Sequence, residues 1–71
     1  MFGLYIIGDN IYPEIHAFKT VQDAVQHANN VVNEYGMKLD DTDKIDANDK
    51  GFYASCDCGH TTFECRKIIV H

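Results

Sequence analysis

The chain has 71 residues, six basic and eleven acidic side chains, and 45% hydrophobic residues. That length suits one small domain, residues 1–71, and so many Val, Ile, Phe and Tyr residues exclude a disordered tail. A formal charge of −5, with lysines scattered at 19, 38, 44, 50 and 67, provides no basic footprint for phosphates and argues against direct binding to nucleic acid or an anionic membrane.

Met1 to Ile7 is apolar, but it lacks a cationic lead, is too short for a secretory core, and is interrupted by Gly8-Asp9-Asn10. It reads as a strand, and the protein as cytoplasmic. Phe2, Leu4 and Ile6 alternate with Gly3, Tyr5 and Ile7, and Asp9-Asn10 tolerate the positive φ of a tight loop, so residues 1–18 are expected to form a β-hairpin. A two-residue loop places Leu4 opposite Ile15, Phe2 opposite Ala17 and Ile6 opposite Pro13. One face is then wholly apolar, and the other carries Tyr5, Ile7, Tyr12, Glu14, His16 and Phe18. Pro13 has no amide to donate, so its strand should lie at an edge or contain a bulge.

Thr20, with Asp23 three residues later, opens the one well-patterned helix: the hydroxyl accepts from an orphan amide and the carboxylate suits the positive helix end. Val21, Ala24, Val25, Ala28, Val31, Val32 and Tyr35 fall within an arc of roughly 120° at helical spacing. Gly36 is the expected left-handed stop. The outward face is rich in Gln and Asn, so burial of the apolar stripe must hold the helix.

Residues 40–51 form an acidic stretch, with Asp40, Asp41, Asp43, Asp46 and Asp49. A calcium loop opening at Asp41 would want Gly at position 46 and Glu at position 52, where Asp46 and Phe52 stand. The stretch therefore reads as a solvated loop or as a patch suited to a basic surface on a partner protein. Ile45 and Ala47 suggest a short third strand.

In the last hairpin Gly59-His60 suits a two-residue loop, pairing Cys58 with Thr61, Cys56 with Phe63 and Ala54 with Cys65. All three cysteines then share the core face with Phe52, Ala54 and Phe63. Tyr53, Ser55, Asp57, Thr62, Glu64 and Arg66 take the reverse side, while Ile68, Ile69 and Val70 are apolar on both parities. The first strand, poor in charge, should be central. The fold class is α+β: a mostly antiparallel sheet in the order ββαβββ, with one amphipathic helix packed on one face.

Cys56, Cys58, His60 and Cys65 are soft and borderline ligands that zinc accepts, but one residue between the first two cysteines is poor spacing for a zinc knuckle. Buried thiols acting as small hydrophobes are the preferred reading, with no cofactor and no metal. An odd number of cysteines, three, suits a reducing compartment. The four histidines are dispersed, no nucleophile motif or phosphate-binding loop is present, and a single-helix sheet offers little depth for a pocket.

These observations lead to a small, cytosolic, non-catalytic protein-binding module. It is expected to act as a regulator or inhibitor that occupies a partner's surface. Two surfaces qualify: the acidic loop with Asp40, Asp41, Asp43, Asp46 and Asp49, and a sheet face carrying Tyr5, Ile7, Tyr12 and Tyr53. The alternatives are a self-associating domain that forms a homodimer, and a zinc-stabilised module using Cys56, Cys58 and Cys65.

Overall fold

The computed structural model describes residues 1–9, 11–40 and 44–68. Strands β1 (Phe2–Gly8) and β2 (Ile11–Phe18) precede helix α1 (Val21–Glu34), and β3 (Gly51–Cys56) and β4 (Thr61–Lys67) follow it. The four strands form one antiparallel sheet in the order β2-β1-β4-β3, with α1 packed across one face. This is an α+β fold with β1 in an interior position, as its scarcity of charge predicts.

The apolar stripe of α1 drives that packing. Val21, Ala24, Ala28 and Val31 are buried against Leu4, Ile6, Phe52, Ala54, Cys56, Phe63 and Cys65 from three strands. Burying each large side chain contributes about 1.5–3 kcal/mol, so this contact outweighs the weak helix propensity of the amide-rich outer face. Thr20 caps the helix, its Oγ accepting the Asp23 amide at 3.2 Å. Gly36, at φ +64, turns the chain out of it. Tyr35, expected at the end of the buried stripe, is exposed because it is already the C-terminal cap.

Three further expectations are corrected. Among the described residues no strand forms between α1 and β3. Leu39 instead bridges to Cys56, and the Asp40 amide donates to the Ser55 carbonyl at 3.0 Å, so a strap lies along β3. Ile45 enters the core as a single buried side chain, and Ala47 packs beside it. The intervening Asp41 and Asp43 lie outside the described residues, as do Ile69 and Val70 of the C-terminal run.

The first hairpin departs from its expected register by one residue. Gly8 pairs with Ile11, as the short loop predicts, but Ile6 pairs with Glu14, Tyr5 with Ile15 and Leu4 with His16. Two residues, Tyr12 and Pro13, thus oppose Ile7 alone. This is a β-bulge at the proline, which has no ladder amide to give. Because side chains alternate, the slip reverses the strand beyond the bulge, from Glu14 to Phe18. Glu14, His16 and Phe18 turn toward the helix, and Ile15 and Ala17 turn away from it.

The second hairpin departs by two residues. Cys56 pairs with Thr61, Ala54 with Phe63 and Phe52 with Cys65, across a loop of residues 57–60. Cys56 and Cys65 keep the core positions expected of them. Cys58 does not: it sits in the loop and is exposed.

Candidate functional site: the open face of the sheet

The face opposite α1 has no second layer of described residues. A row crosses all four strands in the order Ile15, Tyr5, Glu64, Tyr53, as the pairings require. Ile7 stands one step along β1. Ile15 is 74% exposed, Tyr53 65% and Ile7 59%, while Tyr5 is half-buried between its neighbours. Arg66 donates from Nε to Glu64 Oε1 at 2.6 Å, so the charges at the middle of the face neutralise each other. At one end Ile68 covers Gly3 closely enough that a Cβ there would collide with its Cδ1.

Tyr5, Ile7 and Tyr53 thus occupy the face the sequence assigns them, and Tyr12 is 91% exposed in the bulge. Ile15 was missed by sequence reasoning, since a regular hairpin puts it in the core. The available signal was Pro13. Both sheet edges are blunted, β2 by its bulge and proline and β3 by the Leu39–Asp40 strap. Both edges are therefore poor templates for strand addition.

The three described aspartates of the acidic stretch, Asp40, Asp46 and Asp49, do not form one patch of equivalent charges. Asp40 is engaged in the fold: its carboxylate accepts the Cys58 amide at 2.6 Å, the Gly59 amide at 2.9 Å and the Ser55 hydroxyl at 2.8 Å. Those donors, the Cys58 amide foremost and then the Ser55 hydroxyl, hold its pKa below the ordinary carboxylate value. The loop needs this support because Asp57 (φ 53), Cys58 (φ 59) and Gly59 (φ 85) are all left-handed, a strained conformation for two of them. Asp46 and Asp49 are exposed beside an open groove of ≈ 670 Å³ at the N-terminal end of α1, lined also by Phe2, Lys19, Val25 and Ile45. Sequence reasoning anticipated no depression of that size; it arises because the 44–49 segment lies beside the helix instead of extending the sheet.

The hairpin tips are clipped together. The Asp9 amide donates to the His60 carbonyl at 3.1 Å, and His60 Nδ1 meets Asp9 Oδ2 at 2.6 Å. That carboxylate raises the His60 pKa, first through the hydrogen bond and then through its charge. Burial raises the thiol pKa of Cys56, with Asp57 and Asp40 adding to the effect, and burial alone raises that of Cys65. A raised thiol pKa disfavours the thiolate, and with it nucleophilic attack, at both positions. Among the described residues, the potential ligand atoms of Cys56, Cys58, His60 and Cys65 do not converge; those of Glu14, His16 and His27 do.

Among the described residues no helix is long and apolar enough to cross a membrane. No family model, curated protein or solved structure matches the chain, so its functional reading rests on the side chains described above.

Proposed function

We propose that this chain is a small, non-catalytic, cytosolic protein-binding module, a regulator or inhibitor that seats the open sheet face on the surface of a partner protein. The observation that carries this reading is the row of Ile15, Tyr5 and Tyr53, with Ile7 beside it, held on rigid strands around a self-neutralised Glu64–Arg66 pair. Exposed tyrosine and aliphatic side chains of this kind are favoured at the centre of protein interfaces, where desolvation is favourable and phenol hydroxyls still find partners. The middle of the face carries no net charge, and Asp46 and Asp49 stand beside α1 rather than on this face, so they would act on a basic partner through their long-range field. Free cysteines, one of them exposed, support a reducing compartment.

A photo-crosslinking side chain at position 15, with a control at Asn33 on the outer face of α1, tests the reading in cells. A discrete adduct from position 15 alone, lost on Tyr53→Ala, is the expected result. An adduct between two copies of the chain would instead make the face a homodimer surface. Equal labelling from both positions, or none from position 15, would contradict the proposal. With a purified partner, Tyr5→Ala and Tyr53→Ala should act mainly on dissociation. Neutralising Asp46 and Asp49 should instead slow association and reduce its salt dependence.

A further inference from the structure

The bulge in β2 has a chemical consequence on the helix side of the sheet. Glu14 and His16 share the face of Leu4 and Ile6, and His27 of α1 comes down onto them. The two imidazole rings lie 4.4 Å apart between centroids, and the His27 ring is 5.5 Å from that of Phe18. Glu14 Oε1 and His16 Nε2 are 2.8 Å apart, and one potential ligand atom from each of the three residues lies within 4.8 Å of the other two. All three side chains are half-buried.

A cluster of this kind can be purely structural, with the Glu14–His16 hydrogen bond and the ring contacts satisfying it. One atom argues for more. Nε2 of His27 is buried and has no hydrogen-bond partner, a state that costs desolvation without return. Beside His27 lies an open depression of ≈ 280 Å³, lined also by Phe18, Asp23, Gln26 and Asn30. Two imidazoles and a carboxylate are a nitrogen and oxygen donor set that suits zinc and its neighbours in the transition series better than magnesium or calcium. Three such ligands leave a fourth tetrahedral position for water.

We propose that Glu14, His16 and His27 form a zinc-binding site that pins α1 to the edge strand β2. The bulge, by re-aiming Glu14 and His16 inward, builds the site. In the filled state one imidazole nitrogen of each histidine and one oxygen of Glu14 bind the ion, and the Glu14–His16 hydrogen bond gives way to two metal bonds. The ion links an edge strand to the helix, so its binding free energy adds to folding stability.

The test is zinc chloride titrated into chelator-treated full-length protein, read by calorimetry and by the imidazole NMR signals. One zinc per chain is expected, moving the ring signals of His16 and His27 and leaving those of His60 in place. His27→Gln and His16→Gln should each weaken zinc binding by about 10–100-fold or more, since losing even a partner that supports a ligand costs that much, while Cys58→Ser leaves it unchanged. The wild-type NMR readout decides the matter even if a variant unfolds. Zinc that moves His60 rather than His16 and His27 would overturn the proposal. So would affinity that survives His27→Gln in a folded variant, or the lack of any response at micromolar zinc.

Discussion

The two hairpins fold on opposite sides of one rule. In β3–β4 the pairing lies two residues from the regular two-residue-loop register, and every helix-facing side chain of the strands keeps its face: Phe52, Ala54, Cys56, Phe63 and Cys65 remain core residues. In β1–β2 the pairing lies one residue from that register, and β2 is inverted. A slip of two is silent on a strand with period two, whereas a slip of one exchanges inside and outside. The second hairpin therefore supplies core, and the first supplies chemistry: an exposed Ile15 on one side and a Glu14, His16 and His27 cluster on the other.

This contrast can be broken at its strongest point by Phe63→Ala. The residue is fully buried at the centre of β4, and its loss should cost about 3–5 kcal/mol in urea unfolding. Gly51→Ala comes next. Gly51 stands at φ +130, and a Cβ there would overlap the Cys65 carbonyl oxygen, so about 1–3 kcal/mol is expected from the backbone conformation alone.

Asp40 sharpens the comparison at the loop of the second hairpin. Its pKa is lowered in the fold, so its contribution is present above the unfolded value of about 3.9 and is lost as pH falls through the lower folded value. Asp40→Asn should flatten the acid limb of a stability-versus-pH curve and loosen residues 57–60, seen as faster exchange of the Cys58 and Gly59 amides. His60 acts in the opposite sense. Its pKa is raised, so its contribution is complete below about 6.5 and disappears as pH rises through the folded value. Asp9→Asn should remove that alkaline decline. The smallest effect is expected at Ile15→Ser, within about 0.5 kcal/mol, because the side chain is exposed. A loss of 2 kcal/mol or more would place Ile15 in the core and refute the bulged register.

The core was legible in the sequence wherever the pattern was redundant. Seven helical positions define one stripe, Leu4 and Ile6 alternate on β1, and Phe52, Ala54, Phe63 and Cys65 alternate over long enough runs that a slip of two in their hairpin leaves them in place. The loop of the second hairpin was not legible, because the Asp40 carboxylate that stabilises left-handed Asp57 and Cys58 is 17 or more residues away in the chain. The site on β2 was hidden for a different reason. Ile15 and Ala17 present a strand of sound parity, and only Pro13 indicates that the ladder shifts. His16 and His27, eleven residues apart on different elements, become neighbours only after that shift.

Cross-strand NMR contacts read the register of the first hairpin. The backbone of Leu4 is expected opposite His16 and that of Tyr5 opposite Ile15, with ring contacts between His16 and His27. Leu4 opposite Ile15, with the His16 ring in solvent, would contradict that register and remove both the Ile15 surface and the metal site.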